Sequence, residues 1–201
     1  MLDILSEFKV EKDFKSIQAC SDCSLYMLVV NKFDPPNGKL VLSGQYKNDG
    51  SLKILFIGIA PSSRARFDKQ LRAFFPASLE ESSSGAIFFS ALVAEKWVEK
   101  YDLYVTNLVK CSTKNFEFPD DQSLNRCKKW LSKELYSIRP DWIICLGSRT
   151  FEEFTKSYVA ELTDLKKTRV YYMKHPAYYY RWRDSIGMAN ELRVVERKLV
   201  T

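Results

Sequence analysis

Five cysteines, one histidine and an asparagine at the end of an apolar run are the residues of this 201-residue chain best placed by type and spacing to do chemistry. Cys20-Ser21-Asp22-Cys23 is a C-x-x-C, and Cys111 and Cys127 stand sixteen positions apart. A single bridging cofactor can draw these four thiolates together, and both zinc and an iron–sulfur cluster accept such a set. The second pair lacks the close spacing of a zinc ribbon. Cys145, set in Ile143-Ile144-Cys145-Leu146, reads as a small core hydrophobe. Asn107 follows Leu103, Val105 and Thr106 in a β-rich run that ends at Cys111. An amide there donates and accepts at once; it can also simply satisfy its own turn. His175 precedes Pro176 and offers a proton donor or acceptor near neutral pH.

Something rigid has to present these groups. The run 53–60 is continuously apolar and stops at Pro61-Ser62-Ser63, which marks a strand buried on both faces. Comparable strands are expected at 103–109, 142–147 and 170–173, and a short one around Leu40–Leu42. Helical spacing appears through Phe14 and Ile17, over 86–100 (Phe89, Leu92, Val93, Trp97), and after Pro119-Asp120-Asp121 (Leu124, Cys127, Leu131, Leu135). It returns after Ser148, a candidate N-cap, and from Asp184 to the end. Strands alternating with helices imply an α/β fold, a three-layer α/β/α sandwich around a four-stranded parallel sheet. All four strand exits then share one rim: Ile59–Pro61, Asn107–Cys111, Gly147–Ser148 and His175–Pro176. In open parallel sheets that rim is where ligands bind. No repeat or linker interrupts the chain, so residues 1–201 are expected to form one domain.

Composition narrows the setting. A hydrophobic content of 46% supports a substantial core, and a formal net charge of +6 leans towards a polyanionic partner. No apolar run reaches the roughly 20 residues of a spanning helix. Met1–Glu7 has no basic segment ahead of an apolar core, so the expectation is a cytoplasmic protein with no membrane association. In that compartment cysteines serve metals, catalysis or packing rather than disulfides.

Taken in order, these motifs resemble the iron–sulfur branch of the uracil-DNA glycosylase superfamily, from Cys20 to about Arg181. Cys20-Ser21-Asp22-Cys23-Ser24-Leu25 is similar to the family's N-terminal C-x-x-C-x-L. Tyr104 to Cys111 is similar to its Y-x-T-N-V-V-K-C, with Leu108 for Val. Cys127 falls at the fourth cysteine, and His175-Pro176-Ala177 stands where the family has H-P-S. The resemblance implies a [4Fe-4S] cluster on Cys20, Cys23, Cys111 and Cys127. It further implies a base pocket with Asn107 reading the base edge, Phe74 as aromatic floor, and Ala60, Pro61 and Ser62 lining it. His175 would stabilise the departing base anion. The segment 177–183, with Tyr178, Tyr179 and Arg181, would meet DNA, and the partner would be single- or double-stranded DNA bound by a monomer.

The departures concern catalysis. The family's Gly-Glu-x-Pro-Gly is here Gly58-Ile59-Ala60-Pro61-Ser62, so Ile59 replaces a glutamate that handles water. A sister branch has Gly-x-Ala-Pro at this point, and Asp68 is the remaining loop carboxylate that can serve as a base. The Asp-Lys segment also has Leu71 where the family has Gly. Three readings follow: a glycosylase removing uracil or a related deaminated base, the same fold kept for nucleic-acid binding without excision, and a zinc-bound structural protein.

Overall fold

The computed structural model describes residues 43–45, 52–61, 84–111, 113 and 117–199. Several expectations lie outside these residues: the helix through Phe14 and Ile17, Leu40–Leu42, Cys20, Cys23, Ser62, Asp68 and Phe74.

Five strands form one sheet in the order β1-β3-β2-β4-β5: β1 (Ser43–Gln45), β2 (Lys53–Gly58), β3 (Asp102–Asn107), β4 (Trp142–Leu146) and β5 (Arg169–Met173). β2, β3, β4 and β5 are mutually parallel, as the alternating pattern predicts. The sheet is nevertheless five-stranded, because β1 adds antiparallel to the free edge of β3, Gly44 opposite Tyr104. Ser-Gly-Gln carries no apolar alternation, so nothing in its composition announces a strand. Its pairing is made by backbone alone, and a short polar strand blunts an edge that would otherwise invite other chains.

β2, β3 and β4 are buried on both faces, whereas β5, at the edge of the sheet, buries only Met173 and leaves Tyr172 exposed. From β2, Leu55 and Ile57 pack with Tyr104, Ile143 and Cys145 towards α3 (Asp121–Ile138) and α4 (Ser148–Ser157), meeting Leu131, Leu135 and Phe154. Ile54 and Phe56 pack with Val105, Ile144 and Met173 on the opposite face. There they meet α1 (Ser84–Ala94), α2 (Trp97–Lys100) and α7 (Ser185–Leu199) through Phe88, Trp97 and Leu192. Helices α5 (Val159–Asp164) and α6 (Pro176–Trp182) complete the described elements. Cys145 sits fully buried on β4, and burial pushes its thiol far above the ordinary range. It is the packing residue its neighbours suggested.

The helix expected over 86–100 is two helices. Lys96 adopts a left-handed conformation (φ 59°) between them. This turn rotates Trp97 into the core and leaves Val93 at the surface. α3 starts as its sequence predicts, with Asp120 Oδ1 accepting the Ser123 N–H at 2.6 Å. For α4 the cap is Gly147, and Ser148 is already helical.

The largest packing dependence falls on Phe56. Its ring is fully buried, edge-on to Phe88 at 5.0 Å and tilted against Trp97 at 5.9 Å. Phe56→Ala is expected to cost about 3–5 kcal/mol in urea-induced unfolding. A loss no larger than that of an exposed substitution would mean the ring is not a core element.

Candidate active site

The parallel strands run in the order β3-β2-β4-β5, so the chain starts centrally, moves to one side, then crosses to the other. The crossover makes the exits of β2 and β4 a topological switch point, the place where open parallel sheets take their ligands. The residues there are Ile59, Ala60 and Pro61 from β2 and Gly147 from β4.

Gly147 is required by its backbone. Its φ is +100°, a conformation L side chains rarely adopt, and a Cβ there would lie 3.4 Å from the His175 Cβ. Its N–H donates to the Met173 carbonyl at 2.7 Å, which draws the β4 exit against the β5 exit and sets the position of His175.

His175 is the N-cap of α6. Its Nδ1 accepts the Ala177 N–H at 3.1 Å, satisfying one of the donors a helix start leaves open. With Nδ1 an acceptor, the ring proton of the neutral imidazole resides on Nε2, so the outer edge of the ring is a donor. Burial, and secondarily the charge of Arg181, holds the pKa down to about 4 from an ordinary 6.5. The group is a neutral hydrogen-bond donor across the physiological range.

Asn107 closes β3, opposite Gly58, and is 1% exposed. Its neighbour Thr106 is turned towards α3, donating to Glu134 Oε2 at 2.9 Å. Strand alternation therefore turns the Asn107 side chain to the other face, the one that carries α6. Asn107 ends one outer strand of the parallel set and His175 follows the other by two residues, with β2 and β4 between them. Three strand spacings separate their exits by roughly 14 Å, the span of an amide, one flat pyrimidine and an imidazole joined by hydrogen bonds.

Ile59, standing where a carboxylate was sought, packs against the core cluster that includes Leu124 and Leu131, and its carbonyl accepts the Val109 N–H at 3.1 Å. The β2 exit therefore supplies backbone groups and a hydrophobic wall, without acid–base capacity.

Cys111 and Cys127 are both buried and belong to one packed cluster between the sheet and α3. Cys111 leaves the β3 exit and Cys127 lies in the early turns of α3, so strand and helix bring two of the four expected thiols into one layer. Among the described residues no three His, Cys, Asp or Glu side chains form a metal-holding group. The donor type and shared burial of these two fit thiolate ligation of a metal or cluster, and the other expected ligands, Cys20 and Cys23, lie outside the described residues.

The segment after His175 is a helix rather than an inserting loop. Pro176 starts α6 at a position where its missing N–H costs nothing. Tyr178, Arg181 and Trp182, at i, i+3 and i+4, share its outer face, and Trp182 is 73% exposed. Lys174 Nζ lies 5.0 Å above the Tyr178 ring. Tyr179 differs from expectation. It is buried, its hydroxyl bonded to Glu191, so it packs α6 onto α7 and is not presented to a nucleic acid. Trp182 takes its place on the exposed face; its four-residue spacing from Tyr178 was the signal for it.

Sequence reading also passed over Lys110 and Glu134. Lys110 lies in an apolar run, is 2% exposed and pairs with Glu134 at 2.7 Å. A lysine inside a buried run needs a partner, and that requirement was the available clue.

Comparison with known proteins agrees with this geometry. Residues 45–197 match the family model of the Uracil DNA glycosylase superfamily. The chain is 26% identical over 171 residues to the type-4 uracil-DNA glycosylase of Archaeoglobus fulgidus, covering 84% of this chain and 72% of that one. It is 24% identical over 185 residues to the type-4 enzyme of Thermotoga maritima, covering 88% and 83% respectively. The crystal structure of wild-type Pedobacter heparinus SMUG2 aligns with a TM-score of 0.54 at 13% identity, over 87% of this chain and 97% of that one, a likeness of fold. Parallel strands whose exits carry an amide at β3 and a neutral imidazole after β5, together with a family match from the end of β1 into α7, lead to one assignment: the chain belongs to the uracil DNA glycosylase superfamily.

Proposed function

We propose that this protein is a DNA glycosylase that removes uracil or a related deaminated base by hydrolysing the N-glycosidic bond, the first step of base-excision repair. What supports this reading is that Asn107 ends β3 and a neutral His175, its Nδ1 accepting from Ala177, follows β5, on opposite sides of the β2/β4 switch point. A base swung out of the stack enters there and offers its Watson–Crick edge to the Asn107 amide, which can donate and accept together. Phe74 serves as the aromatic floor, and Ala60, Pro61 and Ser62 line the pocket.

Cleavage of the bond between the sugar C1′ and the base nitrogen sends the bonding pair onto the base. His175 Nε2–H stabilises that developing charge without first having to give up a charge of its own. Water adds its oxygen to C1′ and releases a proton, which Asp68 accepts. DNA is the partner, met by Tyr178, Arg181 and Trp182 on the outer face of α6, with aromatic rings for stacking and the guanidinium for phosphate. The protein acts as a monomer.

Cys20, Cys23, Cys111 and Cys127 hold a [4Fe-4S] cluster, which when bound supplies a thiolate cross-link between the N-terminal segment and the β3 exit. Protein purified without oxygen is then brown, and Cys127→Ala bleaches the visible thiolate-to-iron absorbance. A colourless protein carrying stoichiometric zinc would overturn the cluster assignment.

The functional test uses a labelled single strand with one uracil beside an otherwise identical control. Alkali-labile scission at the uracil alone supports the glycosylase. Ile59 favours a second reading, a fold retained for binding without excision. Salt-sensitive binding with strands left intact would establish that reading instead.

A further inference from the structure

We propose that Lys110, clamped by Glu134 and Thr106, is a positioning residue for Asn107. The proposal rests on the base-reading role given to Asn107 above. The ammonium has three hydrogens, and the structure uses all of them: Thr106 Oγ1 at 2.7 Å, the Asn107 carbonyl at 2.8 Å and Glu134 Oε2 at 2.7 Å. Thr106 Oγ1 in turn donates to the same Glu134 oxygen, which closes a triangle between β3 and α3.

Stability is a poor reason for such a device. Taking two charges out of water costs several kcal/mol per ion, and apolar replacements of a buried pair are often as stable or more so. What an apolar residue cannot do is hold a backbone carbonyl. Just past Asn107, the N–H groups of Leu108 and Val109 donate to the carbonyls of Gly58 and Ile59 at 2.9 and 3.1 Å. The Asn107 carbonyl is taken by Lys110 from the α3 side. The peptide units on the far side of Asn107 are therefore gripped by β2 and by the Lys110–Glu134 pair. Only the two side-chain torsions of the amide remain to be set by the pocket. A base-reading amide placed this way keeps its direction when the base arrives.

The experiment compares wild type, Lys110→Met/Glu134→Gln, Asn107→Ala and the triple variant on the uracil-containing single strand. Changing both partners together leaves no buried ion unpaired. The paired variant is expected to lose on the order of 100-fold in kcat with KM for the strand unchanged. In the Asn107→Ala background the same pair of changes should cost nothing further, because its effect passes through Asn107. An equal loss in both backgrounds overturns the proposal, as does loss of the visible absorbance, which would place the role of Lys110 at the neighbouring Cys111.

A second readout does not need activity. The side-chain amide resonances of Asn107 should shift or split in the paired variant, and unmoved resonances overturn the proposal. If wild type excises no base, the glycosylase reading fails, and this resonance alone decides the positioning role. Should the paired variant fold poorly, Thr106→Val removes one corner of the triangle and should produce a smaller loss that also disappears with Asn107→Ala.

Discussion

His175→Ala is expected to lower kcat for uracil excision by on the order of 10²–10³-fold, the usual consequence of removing one donor aimed at a developing oxyanion. The imidazole also caps α6, so alanine costs about 1 kcal/mol of stability as well. His175→Asn separates the two effects. Asparagine is among the best N-cap residues and keeps an acceptor for the Ala177 N–H, but it does not reproduce the Nε2–H. Activity in His175→Asn should therefore fall as far as in His175→Ala while thermal stability recovers. Full activity in the Asn variant would remove the imidazole from the chemistry.

The pH dependence follows from the same burial. With its pKa held down to about 4 from 6.5, His175 stays neutral through the neutral range and contributes no inflection near 6.5 to kcat/KM. For stability, the unfolded chain takes up a proton at this site as pH drops through 6.5, while the folded protein resists until about 4. The unfolded state binds more protons in that window, so stability declines as pH falls across it and gains nothing from this group above it. His175→Asn should flatten that part of the stability–pH curve.

Asn107→Ala is expected to reduce kcat/KM by on the order of 10³-fold, since it removes a donor and an acceptor used together on the base edge. The effect should be confined to the base. Affinity for an abasic strand should hold if, as proposed, α6 and its arginine meet the backbone elsewhere. Free uracil, followed as a product inhibitor, should lose its hold on the variant. Unchanged inhibition by uracil would mean that the base is read by another group.

Much of the framework was legible because its signals are local. Four apolar runs separated by amphipathic segments specify a parallel sheet, and parallel strands necessarily place their exits on one rim. Asn107 and His175 were visible for that reason: one lies near the exit of such a run and the other two residues past the end of another. The helix start at Pro119-Asp120-Asp121 and Cys145 as packing followed equally from their neighbours.

Other features depend on what lies across space. Ser43–Gln45 became a strand only because the edge of β3 was open. Lys96 broke the run 86–100, which contains neither Gly nor Pro, because Trp97 had a place beside Phe56. Tyr178 and Tyr179 are chemically identical neighbours. The helix that begins at Pro176 sends one outward and the other to Glu191.

The sequence by itself determined the family, the parallel sheet and the identity of the groups at its rim, since motif spacing and hydrophobic period are properties of the chain read in one dimension. Only the tertiary structure decided the tautomer of His175, the burial of Tyr179 and the three-way grip of Lys110 on Thr106, Asn107 and Glu134. Each of these depends on hydrogen-bond partners or packing contacts that come together only when separate elements fold against one another, and for Lys110 the partner lies twenty-four residues away.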